Sequence, residues 1–267
     1  MRRVYNVPFL LILFGISILT GRVAASDQAK EQRWAEQIVD SLLVGEPETL
    51  QAGDLEFLAI YAEAVEGAGD RAVILLHGMG AHPNWPEVIQ PLRSELPDHG
   101  WATLSLQMPI LPNEAELPDY LPLLEETPAR IQAGIDFLKA QGMNTIVLAG
   151  HSLGSAMGCS FLAELGSRDV QAFIGIGMQP SRLDPRLDSA TCLEALQVPV
   201  LDLYGTRDDR ARDSAKARKR AAQKAGNQAY RPRALEGADH FFTGLQSELV
   251  RTIWGWLDRQ FPDQPAP

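Results

Sequence analysis

Three short stretches of this sequence hold residues that could do chemistry together: Gly150-His151-Ser152-Leu153-Gly154, Gly205-Thr206-Arg207-Asp208 and Gly237-Ala238-Asp239-His240. A serine hydroxyl is a weak nucleophile until a base removes its proton, and an imidazole base works best when an acid orients it. Ser152, Asp208 and His240 supply those three groups in the order nucleophile, acid, base. The G-x-S-x-G pattern alone arises by chance in about one chain in ten, so its context must decide. Here it stands where an apolar run, NTIVLAG, ends and a helical pattern begins, the setting of a strained turn that exposes a nucleophile. Asp208 and His240 each stand just past the end of another strand-like run.

Other residues compete for these roles. Asp209 is an alternative acid, and the G-x-x-D spacing favours Asp208. Asp239 adjoins His240, and neighbouring side chains diverge, so it is a poor orienter. His151 beside Ser152 reads as packing or pocket wall, and His77 as a brace. His82 either lines a pocket or is satisfied within its loop. His99 reads as a turn residue and Ser155 as a helix residue. There is no HExxH, Cys cluster or paired-Asp loop, so no metal or other cofactor is expected.

The elements that must position these residues follow from periodicity. Residues 27–43 read as an amphipathic helix and 49–64 as a hairpin at a sheet edge. RAVILL then begins an alternation of strands with helices. WATLSLQ (101–107), NTIVLAG (144–150), AFIGIGM (172–178), VPVLDLYG (198–205) and AYRPRAL (229–235) read as strands. Helices are expected at 85–96, 129–140, 155–165 and 243–259. Such alternation implies an α/β domain with a mostly parallel sheet and helices on both faces. About twenty residues between AFIGIGM and VPVLDLYG leave no room for a separate cap domain. The proline-rich stretch 108–128 reads as a long loop, either a lid or a surface connection.

The 267 residues are 45% hydrophobic and 22% charged, an ordinary globular composition. The beginning differs: Arg2 and Arg3, an apolar run from Pro8 to Leu19, then Val23, Ala24, Ala25 and Ser26. This is the pattern of a secretory signal peptide cut after Ala25 or Ser26. The run is shorter than the roughly 20 apolar residues of a membrane span. Residues 26–267 are then one domain, periplasmic or secreted, with no stable membrane anchor. Removing residues 1–25 takes away Arg2, Arg3 and Arg22 and no acid, moving the formal charge from −10 to −13. Such a charge disfavours a nucleic-acid partner. The locally basic stretch 207–224 reads as a solvated helix face. Cys159 and Cys192 could pair in an oxidising compartment or remain buried thiols.

Taken together, these motifs resemble the alpha/beta hydrolases over essentially the whole mature length. G-H-S-L-G resembles the nucleophile elbow, G-T-R-D the acid loop, G-A-D-H-F-F the histidine loop and LLHGMG the loop completing an oxyanion hole. More narrowly, HGMGAHPNWPEVI with GWATLSLQMP resembles a bacterial alpha/beta-hydrolase-like family of unknown function. The resemblance implies the alpha/beta-hydrolase fold, Ser152, Asp208 and His240 as a triad, and backbone N–H groups of Met79 and Leu153 as oxyanion donors. It implies an acyl-enzyme reaction on a small acyl substrate, a carboxylic ester first and an amide or thioester second. A non-catalytic binding protein on the same fold and a cofactor-free haloperoxidase-like enzyme are the alternatives. Leu117 and Tyr120, with Leu111, Leu121 and His82, are the expected pocket walls.

Overall fold

The computed structural model describes residues 26–65, 69–166 and 168–262; the signal peptide expected at 1–25 lies outside them. Helix α1 (Gln28–Ser41) is capped by Asp27, whose carboxylate accepts the Lys30 N–H at 3.0 Å. Strands β1 (Glu46–Ala52) and β2 (Leu55–Ala62) form the hairpin. There follow β3 (Arg71–Leu76), α2 (Ile89–Glu95), β4 (Ala102–Leu106), α3 (Thr127–Ala140), β5 (Thr145–His151), α4 (Leu153–Leu165) and β6 (Ala172–Ile176). The chain ends through α5 (Ser189–Leu193), β7 (Val200–Gly205), α6 (Asp209–Lys224), β8 (Tyr230–Leu235) and α7 (Gln246–Gln260).

Among the described residues the strands make one sheet in the order β1-β2-β4-β3-β5-β6-β7-β8. β2 runs antiparallel to β1 and β4, and every other neighbouring pair is parallel. The two-residue period of a strand sorts its side chains into two cores. In β3, Ala72, Ile74 and Leu76 pack with α3 and α4, while Val73 and Leu75 pack with α2 and α7. Burial on both faces is why these strands are continuously apolar. Among the described residues no separate cap domain is present.

Several boundaries differ from the sequence expectation. α2 starts at Ile89 rather than Trp85. Pro91 lacks an N–H and is tolerated only in the first turn, so the helix cannot begin a full turn earlier. α7 starts at Gln246 rather than Thr243, because Phe242 adopts φ 57° and interrupts the chain before it. The 108–128 stretch is not irregular: residues Leu117–Glu125 wind into a 3-10 helix, its start held by the Glu116 N–H donating to Asp119 Oδ2 at 2.8 Å. Nor is 207–224 wholly a solvated face. Arg218 is fully buried and bonds Asp202, also fully buried, at 2.7 Å. Cys159 on α4 and Cys192 on α5 form a disulfide with Cα atoms 5.9 Å apart.

Candidate active site

β5 delivers Ser152 into a turn that few side chains tolerate. Its φ of 54° and ψ of −119° lie outside the regions open to ordinary residues. The flanking glycines explain how such a turn is packed. A Cβ on Gly150 would come within 2.4 Å of the Gly154 carbonyl, and one on Gly154 within 2.4 Å of the Leu76 and His77 carbonyls. Both positions therefore exclude any side chain, and α4 begins directly after Ser152, two residues earlier than its periodicity suggests.

Asp208 ends the loop after β7 and caps α6, its Oδ1 accepting the Ala211 N–H at 3.1 Å. The loop after β8 is tied to this one: the Arg207 N–H donates to the Ala238 carbonyl at 2.9 Å, and the Gly237 N–H to Thr206 Oγ1 at 2.9 Å. These bonds carry His240 to Asp208. The structure brings the three residues together, with His240 Nδ1 at 2.5 Å from Asp208 Oδ2 and His240 Nε2 at 3.0 Å from Ser152 Oγ. An ionised carboxylate can only accept. Nδ1 is therefore the protonated nitrogen, and Nε2 is left to accept the Ser152 hydroxyl proton. Burial pushes the Asp208 carboxyl up. The bond from His240, the Ala211 N–H and the nearby imidazoles outweigh it, leaving the group below its ordinary value. The rival Asp209 points away and pairs with Arg212 at 2.6 Å in solvent. Asp239 accepts the Phe241 and Thr243 N–H groups and so shapes its own loop.

Two further histidines are held neutral by burial. His151, depressed to about 4, donates from Nε2 to the His240 carbonyl at 2.9 Å and so supports the histidine loop. His77, depressed to about 3, donates from Nδ1 to the Gly78 carbonyl at 2.8 Å and accepts the Met108 N–H on Nε2 at 2.9 Å. That pair of bonds braces the turn carrying Met79. Among the described residues neither the Met79 nor the Leu153 backbone N–H has a protein acceptor. Both flank Ser152, with Gly78 approaching the Ser152 side chain.

A cavity of about 150 Å³ opens at Ser152. Met79, Leu117, Leu153, Ala156 and Leu187 make its apolar lining, and Gln179, Ser181 and Arg210 its polar lining. Hollows of about 540 and 740 Å³ between α1 and the β1–β2 hairpin are larger, but no serine, cysteine or histidine lines them. Leu117 is thus at the cavity as expected, whereas Tyr120 and His82 are not. Tyr120 is 2% exposed and packs in the core, its phenol oxygen accepting the Leu111 N–H at 3.2 Å. His82 lies between Trp34 and Trp85 and accepts the Asn84 N–H at 3.2 Å. Each ring is claimed by packing, Tyr120 by the core against which its own 3-10 helix lies and His82 by Trp34 of α1 and by Trp85. Leu111 and Leu121 likewise pack against the core.

Sequence reasoning missed Gly177. It adopts φ 62°, and a Cβ there would approach His240 Cε1 to 3.0 Å, so this glycine makes room for the imidazole. The signal was present as a glycine at a strand's end (GIGM), but its neighbour lies 63 residues away. Gln179 was missed too; its amide nitrogen stands 3.4 Å from His240 Nδ1.

Residues 19–127 and 120–259 match a family described as a protein of unknown function, DUF3530. The chain belongs to that family. No curated protein matches it. Among solved structures, Est1E from Butyrivibrio proteoclasticus is similar at 14% identity and a TM-score of 0.64, covering 82% of this chain and 100% of its own. A member of the a/b serine hydrolases without lid from Xanthomonas campestris is similar at 17% identity and a TM-score of 0.65, covering 83% and 97%. A dienelactone hydrolase from Anabaena variabilis gives 18% identity and a TM-score of 0.63, covering 80% and 97%. The fold of the chain is that of the alpha/beta hydrolases. Among the described residues no helix is long and apolar enough to cross a membrane, and no three His, Cys, Asp or Glu side chains gather as metal ligands.

Proposed function

We propose that the protein is an exported serine hydrolase that cleaves carboxylic esters of small acyl groups through an acyl-enzyme on Ser152. One observation carries the reading: the continuous hydrogen-bonded line from Ser152 Oγ through His240 to Asp208, at 3.0 and 2.5 Å, ending on a strained serine at the lip of a cavity. His240 Nε2 takes the hydroxyl proton as Oγ attacks the acyl carbon. The Met79 and Leu153 N–H groups stabilise the oxyanion, and the LLHGMG stretch is read as the loop that completes the oxyanion hole. Asp208 keeps the imidazole in one tautomer and stabilises it once charged. His240 returns the proton to the leaving alcohol, and water activated by the same nitrogen releases the acid. Removing one oxyanion donor from such a site costs about 3 kcal/mol of barrier.

The cavity's size and apolar lining favour a short acyl chain. A structure similar in fold, from Pyrococcus furiosus, is an esterase by name, and that similarity is consistent with ester chemistry here. Treatment with a fluorophosphonate should label wild-type protein on the Ser152 peptide and leave Ser152→Ala unlabelled, read by peptide mass spectrometry. Folded wild-type protein that resists labelling would favour a binding protein that keeps the fold without the reaction.

A further inference from the structure

The beginning of the described chain is buried in a knot of charges. Ser26 is 6% exposed; its backbone N–H donates to Glu126 Oε1 at 2.9 Å, and its Oγ accepts from Arg130 Nη2 at 3.0 Å. Arg130, fully buried on α3, also bonds both Glu31 oxygens at 2.9 and 3.1 Å, Glu126 Oε2 at 3.2 Å and the Gln107 carbonyl at 2.8 Å. Two carboxylates therefore share one guanidinium. The bordering pair Asp27 and Lys30 offset each other: Asp27 caps α1, and Lys30 Nζ reaches the Leu111 carbonyl and Asn113. The knot is short of one positive charge. Glu126 keeps 22% of its side chain exposed and Glu31 only 7%. An unbalanced charge that is largely out of water is costly, and burial pushes the Glu31 carboxyl up against the pull of Arg130.

The sequence offers a source for that charge. Ser26 directly follows Ala25, at the small-residue exit of the leader pattern. Hydrolysis of the Ala25–Ser26 peptide bond by one water leaves a carboxylate on the leader and an ammonium on Ser26, the water supplying the carboxylate's new oxygen and both hydrogens that the amine gains. We propose that Ser26 is the mature N-terminus and that its α-ammonium is the cation completing this knot, so that leader removal ties the start of α1 to the start of α3 through Glu126. The alternative cut after Ser26 would lose both of its bonds. The knot also reaches the site side of the sheet: Arg130 holds the Gln107 carbonyl, and the next N–H, of Met108, is the one accepted by His77. The proposal does not depend on the hydrolase reading.

The test uses the full chain exported and processed by its producing cell. Intact-mass analysis should give a chain beginning at Ser26. An N-terminal serine carries an amine beside a hydroxyl, which periodate cleaves. The folded processed protein should therefore react at least tenfold more slowly than the same protein in urea, and Glu126→Gln should recover much of that rate. Thermal unfolding gives a second arm, against uncleaved full-length chain carrying Ala25→Leu, both in one detergent. Glu126→Gln should lower the Tm of the processed protein, where it strands an ammonium. It should leave the uncleaved protein's Tm unchanged or raised, where it removes the surplus carboxylate. A terminus other than Ser26, equal periodate rates folded and unfolded, or the same Tm loss in both forms would each overturn the proposal.

Discussion

At the scale of the residue, Asp208 and Asp209 differ by one position and by nearly everything physical. Asp208 is buried, caps α6 and meets His240; Asp209 stands in solvent against Arg212. Asn at 208 keeps the shape and can still cap a helix. Its amide can also donate to Nδ1, which would then accept and leave the proton on Nε2, where it blocks attack. Asp208→Asn should lower kcat for an activated ester by about 10⁴ with a nearly unchanged Tm. Asp209→Asn should stay within about twofold, since an exposed ion pair is worth less than about 1 kcal/mol. Steady-state kinetics on the two variants separates them, and a reversal of their effects would move the acid to Asp209. This choice was legible in the G-x-x-D spacing. Gly177 was not, because the imidazole that requires it comes from a distant loop.

The 3-10 helix, through Leu117, and α4, through Leu153 and Ala156, line the cavity. Leu117 lies on its wall, whereas Tyr120 one turn later is in the core. Leu117→Ala should therefore shift the kcat/KM ratio between short and longer acyl esters by about tenfold, the value of a methylene or two of pocket contact. Tyr120→Ala should instead destabilise the protein by about 3 kcal/mol or more, as large-to-small changes of core aromatics do. Chain-length profiles and urea unfolding of both variants check this; a flat profile for Leu117→Ala would remove it from the pocket. α5 is pinned to α4 by the Cys159–Cys192 bond across a separation of 33 residues. On chain-entropy grounds such a crosslink adds about 3.8 kcal/mol. Urea unfolding with and without reductant should show a loss approaching that value. No change would mean the thiols are unpaired in the protein as made. The strands themselves were legible because runs such as RAVILL are buried on both faces. Helix starts were less so, since Pro91, Ser152 and Phe242 each set a boundary that periodicity ignores.

For the whole molecule, acid should be the weak direction. His77, His82 and His151 are held neutral by burial, with values near 3, 4 and 4 against an ordinary 6.5. Between pH 6.5 and about 4 the unfolded chain protonates all three while the folded protein does not. The unfolded state then binds more protons, so stability falls as pH falls through that window. Asp208 acts in the same sense: its lowered carboxyl contributes stability above the ordinary carboxylate range, which is lost as pH falls through its folded value. Differential scanning calorimetry should give a Tm that drops steadily from pH 6.5 to 4, with a slope approaching three protons. A Tm flat down to pH 4 would show that these imidazoles already titrate in the folded state.

What the sequence determined alone is what local physics encodes. Continuous apolar runs declare strands buried on both faces, and strand ends followed by glycine-bearing motifs put Ser152, Asp208 and His240 at one edge of a parallel sheet. Only the tertiary structure decided which apolar side chains face a cavity and which fill the core, because Leu117 and Tyr120 look alike until the 3-10 helix that carries both is packed against the core. It also decided that Arg218 is buried against Asp202 within a stretch that reads as solvated, and that Cys159 meets Cys192. Each of these depends on a partner far away in the chain. Burial belongs to the packed pair of surfaces, and a single stretch of sequence carries only one of them.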